Sequence, residues 1–134
     1  MAKGVRIDAV RAADWAGDWV GGAGVRPGRE DDLAPLERKR LERDREVFAL
    51  QLRSDGTFLH KKTVEGLWIF EHGRLSLHPQ RFLGKTLIEQ RTACEIAEKE
   101  FRFAFVYDEW YLEPCPEGLC VPGDGVITTI YKRE

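Results

Sequence analysis

The sequence predicts an all-β protein, an antiparallel up-and-down β-barrel with a charged flap or short helix after the first strand. Three observations carry this. Apolar side chains alternate along most of the chain after Val47, two tight-turn signals (Asp55-Gly56 and His72-Gly73) separate alternating segments, and helical patterning is confined to one charged stretch. About nine strand candidates joined by short turns make a meander, and closing a meander on itself removes the bare edges that its end strands would otherwise expose.

The first strand candidate is Trp15–Val20, in which Trp15, Gly17 and Trp19 share a face by the two-residue period. Residues 1–13 read as a helical or loose lead-in, and Gly21-Gly22-Ala23-Gly24 as a release from regular structure. Arg26–Glu46 differs in kind, with seven acidic side chains opposing seven basic ones. Asp32 is placed to cap a helix starting near Leu33, with Pro35 in its first turn. This segment reads as an insertion carried on the body of one domain spanning 1–134. The run Arg38-Lys39-Arg40 is basic, but neighbouring acids cancel its field, so a solvated face is expected rather than contact with nucleic acid.

Val47–Arg53 places Phe48, Leu50 and Leu52 on one face, and Asp55-Gly56 turns it into a return strand over Thr57–Val64. A two-residue loop puts Leu59, Lys61 and Thr63 beside Leu50 and Leu52, whereas a three-residue loop puts Phe58, His60 and Lys62 there. The pattern leaves both open, and His60 and His78 are read as facing outward. Leu67–Glu71 then turns at His72-Gly73 into Arg74–His78, pairing Phe70 with Leu75, Trp68 with Leu77 and Glu71 with Arg74, and Pro79 ends that strand. Thr86–Thr92 is a further strand candidate. Phe101, Phe103 and Phe105 alternate and return through Trp110-Tyr111-Leu112, with Trp110 and Leu112 on the phenylalanine face. Burying each phenylalanine is worth roughly 1.5–3 kcal/mol, so that face is expected to be covered. Val126–Lys132 is a final β-branched strand.

The 134 residues are 43% hydrophobic and 33% charged, with 21 Lys+Arg against 23 Asp+Glu and a formal charge of -2. That balance excludes a strongly basic nucleic-acid binder, and no apolar run reaches bilayer-spanning length. The start, Met-Ala-Lys-Gly-Val-Arg, has no secretory apolar core, so a cytoplasmic protein is expected. Cys94, Cys115 and Cys120 are an odd set that argues against a disulfide framework. Cys115 and Cys120 share a Pro- and Gly-rich loop where free thiols are expected first and a local disulfide second. No His, Cys or carboxylate spacing suggests a metal, and no cofactor is expected.

Gly17-Asp18-Trp19 resembles the Gly-x-Trp signature of lipocalins and the wider calycin group. The hairpins, Gly66-Leu67-Trp68 and the terminal Thr129-Ile130-Tyr131-Lys132-Arg133 are similar to small bacterial lipocalin-like domains. The resemblance implies a signature tryptophan closing one end of the barrel under a basic residue, Arg133 or Lys132, and a small hydrophobic molecule bound inside. The side chains expected to meet that ligand are Leu50, Leu52, Trp68, Phe70, Phe103, Phe105 and Trp110, although bulky residues in a barrel this narrow also serve simply as core. Two other classes stay open. One is a barrel enzyme of isomerase or cyclase type, with Tyr111, Glu89 or His60 as its polar group. The other is an interaction module docking through 26–46, on a partner or on a second copy.

Overall fold

The computed structural model describes residues 14–43 and 46–134; the lead-in 1–13 lies outside the described residues. Eight strands follow in order: β1 Gly17–Val25, β2 Val47–Leu52, β3 Thr57–His60, β4 Val64–Glu71, β5 Arg74–Phe82, β6 Trp110–Cys115, β7 Gly118–Cys120 and β8 Ile127–Arg133. Each pairs antiparallel with the next, and β8 pairs with β1, so the sheet is a closed up-and-down barrel. Helix α1 (Pro35–Arg43) lies between β1 and β2, and α2 (Leu87–Ile96) between β5 and β6. Among the described residues, no helix is long and apolar enough to cross a membrane.

Strand β1 runs on through the glycines expected to end it. Gly21 faces inward, and a Cβ there would lie 2.5 Å from the Tyr131 ring and 2.7 Å from that of Phe48. The glycines keep the strand because large side chains from β8 and β2 occupy the space their own would need. Trp15 precedes β1 rather than lying in it, yet its ring stacks on Trp19 at 5.8 Å and on Phe70 at 5.3 Å.

The β2–β3 loop takes the three-residue form: Leu52 pairs with Phe58 and Leu50 with His60. Asp55 accepts from the Thr57 backbone and hydroxyl, at 2.9 and 2.6 Å, which holds the turn. The return strand stops at His60 rather than Val64, because Lys61 and Lys62 adopt φ of 53° and 61° and start a second tight turn. The β4–β5 hairpin has the expected register through Glu71 and Arg74. Pro79 does not end β5; the strand continues to Phe82 with a register shift at Glu65/Gly66, where the pairing absorbs the missing N–H.

Two expected strands are overturned. Thr86–Thr92 is the start of α2, and Thr86 and Glu89 form a reciprocal capping box, the Thr-x-x-Glu signature of a helix start. Phe101–Phe105 makes no strand either: Ala104–Tyr107 is a short 3-10 turn, and Phe103 and Phe105 are 53% and 64% exposed. Strand β5 takes Trp110 of β6 opposite Leu77, so the barrel closes without a place for the phenylalanine segment. Arg102, next to this segment, pairs with Glu100 at 3.6 Å. In the insertion, Asp32 pairs with Arg29 at 2.6 Å while α1 starts later, at Pro35, with Glu37 accepting from the Ala34 N–H. The cysteine segment is a hairpin rather than a loop, Cys115 opposite Gly118, and all three thiols are free.

Leu50, Leu52, Phe58, Trp68, Leu75, Leu77, Leu112 and Leu119 are buried and fill the middle of the barrel. One end is plugged. The Arg133 guanidinium lies 4.3 Å from the Trp19 ring centroid and donates to the Ala16 carbonyl, and the Trp19 Nε1–H donates to the Trp15 carbonyl. This matches what the resemblance implied for Arg133.

A Cβ on Gly66 would run into the His78 carbonyl oxygen across the bulge. Gly66→Ala is therefore expected to cost roughly 3 kcal/mol, toward the upper end of overpacking effects, read as a lower urea midpoint at unchanged m-value. Arg133→Met keeps the apolar stem and removes the cation; it is expected to lower stability by about 1 kcal/mol in the same assay.

Candidate functional site

The end of the barrel opposite Trp19 is open, and its floor follows from the β2–β3 loop length. With Leu52 facing Phe58, the next inward position on β3 is His60. A one-residue difference in the loop would have put Leu59 there. His60 is thus inside the barrel, not outward as the sequence pattern suggested, whereas His78 is on the outside, 3.4 Å from Glu109.

His60 sits among three aromatic neighbours drawn from β2, β6 and β8. Its Nε2 is 3.0 Å from the Tyr131 hydroxyl. The Phe48 ring meets it edge-on at 5.6 Å, and the Trp110 ring lies at 5.0 Å. Above this floor is a cleft of about 390 Å³ walled by Val64, Phe82, Phe105, Val106 and Trp110. Lys61, Thr63, Asp108 and Glu109 supply its polar rim. The outer wall is the segment that failed to become a strand. It is pinned where Tyr107 donates to the Lys85 carbonyl, at 2.8 Å, and where Glu109 meets His78. The base of α2 is tied to the same rim, since Gln90 donates to the Phe82 carbonyl.

Burial pushes the His60 imidazole down from its ordinary value of 6.5 to about 4, and the nearby Lys61 charge adds to the effect. Burial likewise raises the Tyr131 phenol. At neutral pH both groups are uncharged, so the floor offers hydrogen bonding without a formal charge. The Lys61 ammonium lies beside this floor, over the Phe48 ring at 4.4 Å.

The seven side chains expected to meet a ligand are spread over the molecule. Trp110 and Phe105 line the cleft. Leu50, Leu52 and Trp68 are buried in the barrel, with the Trp68 Nε1–H donating to the Arg53 carbonyl. Phe70 lies at the plugged end against Trp15, and Phe103 stands outside, 6.2 Å from the Phe82 ring. Of the polar groups considered for chemistry, Tyr111 is on the exterior under the Arg74 guanidinium, at 4.0 Å, and Glu89 caps α2. His60 alone of the three is in the cleft. Phe82, Val64 and Val106 went unrecognised from sequence because strand alternation does not say which end of a barrel stays open.

Comparison of the chain with protein-family models, curated proteins and solved structures finds no match. The class of protein rests on architecture: an eight-stranded antiparallel barrel compatible with a calycin-like fold, plugged at one end and clefted at the other.

The lowered imidazole has a consequence for stability. Unfolded chain takes up the His60 proton near pH 6.5, the folded protein only near 4, so acid favours unfolding. Stability is full above about pH 6.5 and drains as pH falls toward 4. Between pH 7 and 4.5 wild type is expected to lose roughly 2 kcal/mol more than His60→Gln, measured by urea denaturation at both pH values.

Proposed function

We propose that the protein is a lipocalin-like carrier or sensor that binds a small hydrophobic molecule, without chemistry, in the cleft at the open end of its barrel. The observation that carries this reading is an apolar cleft with a half-exposed aromatic wall over an uncharged polar floor. Phe105 is 64% exposed beside Phe82 and Trp110, an arrangement that leaves apolar surface in water unless a ligand covers it. The barrel middle is taken up by Leu50, Leu52, Trp68 and their neighbours, so the mouth is favoured over the interior as the place for a ligand. Binding is favoured over proton-transfer catalysis because an imidazole held near 4 is a weak base at neutral pH. The three free thiols support a reducing compartment such as the cytoplasm.

The test uses N-phenyl-1-naphthylamine, a neutral apolar fluorophore. Wild-type protein is expected to bind it saturably at one site per chain with quenching of tryptophan emission. Phe105→Asp, a change at an exposed position, is expected to weaken binding at least ~10-fold while leaving the thermal midpoint within a few degrees. Non-saturable binding, or binding indifferent to Phe105→Asp, would overturn the proposal.

A further inference from the structure

A buried phenol has one proton to donate, and in a dry site that proton needs an acceptor. Tyr131 is 2% exposed, and the His60 Nε2 is the hydrogen-bond partner of its hydroxyl, at 3.0 Å. No other acceptor engages that hydroxyl among the described residues. The O–H therefore points at Nε2, which must present a lone pair. A neutral imidazole with a lone pair on Nε2 carries its proton on Nδ1.

His60 faces the cleft, and no protein group among the described residues hydrogen-bonds to its Nδ1. Nor is Nδ1 sealed in: among the described residues no buried side-chain nitrogen or oxygen lacks a partner, so an unpaired Nδ1 is one that the cleft can reach. The rim tells which acceptors suit it. Asp108 and Glu109 bring negative charge to the entrance, which disfavours a carboxylate, and the one ammonium on the same rim, that of Lys61, lies over the Phe48 ring.

We infer that His60 is the specificity-determining residue of the cleft, using its Nδ1–H, with the tautomer set by the Tyr131 hydroxyl, to select apolar molecules that carry a neutral hydrogen-bond acceptor such as a ketone, ester or ether oxygen. The inference rests on the binding reading above and names its ligand class. Tyr131 touches no ligand in this scheme and acts through the imidazole as a positioning residue.

Two matched probes separate the two ideas: 2-acetylnaphthalene and 2-ethylnaphthalene, alike in shape and differing in one carbonyl. By calorimetric titration, wild type is expected to bind the ketone ~10-fold tighter than the hydrocarbon. His60→Leu is expected to abolish that preference, so that the two probes bind within about twofold of each other. Tyr131→Phe releases the tautomer, and the preference should fall to roughly threefold or less with the imidazole still present. Nitrogen NMR of ring-labelled histidine reads the proton directly and is expected to find it on Nδ1 of His60 at pH 7. Equal binding of the two probes by wild type, or a proton on Nε2, would overturn the inference and leave the binding proposal standing. Binding of neither probe would defeat the binding proposal, and this inference with it.

Discussion

The structure depends on the place where Tyr131 of β8 lies across Gly21 of β1. Barrel closure needs β1 and β8 to pair along seven positions, Trp19 opposite Arg133 through Val25 opposite Ile127. Any side chain on Gly21 would collide with the Tyr131 and Phe48 rings at their present positions. The same empty space that allows the seam to close seats the Tyr131 ring in the barrel, and the seated ring brings its hydroxyl to His60. Fold and site therefore share one constraint. A β1 made of ordinary β-branched residues would have better intrinsic strand propensity and would leave no room for the tyrosine.

The two ends of the barrel spend their aromatic residues differently. At the plugged end Trp15, Trp19 and Phe70 stack on one another under the Arg133 guanidinium, and the polar atoms of that cluster are satisfied by local carbonyls. At the open end His60, Trp110, Phe48 and Tyr131 pack at 5.0–6.4 Å between centroids, but the chain above them is a short 3-10 turn instead of a closing strand. Phe105 is left out over the mouth, and Phe103 stands outside it. Apolar surface arranged this way around one uncharged imidazole is costly as pure scaffolding.

The charged insertion contributes little to this economy. No residue of α1 is buried, and Leu36 is 61% exposed. What ties the preceding segment to the barrel is polar: the Arg26 guanidinium donates to the carbonyls of Gly125 and Val121, and that of Arg29 donates to the Asp124 carbonyl. Those bonds fix the β7–β8 connection, which helps explain how so short a strand as β7 keeps its place in the barrel.

Much of the fold was legible in the residues alone. Alternation and turn chemistry are local, so they determined the all-β class, the His72-Gly73 hairpin and its register, and the final strand; the basic residue over Trp19 was implied only by the resemblance carried by Gly17-Asp18-Trp19. A helix start at Thr86 was equally local, since Thr-x-x-Glu is a capping signature, but the strand reading of Thr86–Thr92 passed over it. Tertiary structure decided the rest. Whether the phenylalanine triplet paired depended on β6 having already taken the edge of β5. Whether His60 faced in or out turned on a single loop residue, because a strand inverts its faces with each one-residue slip. Which end of the barrel stayed open depended on where the Trp15 cluster packed, and no run of neighbouring residues records that, since it is set by contacts between strands far apart in the chain.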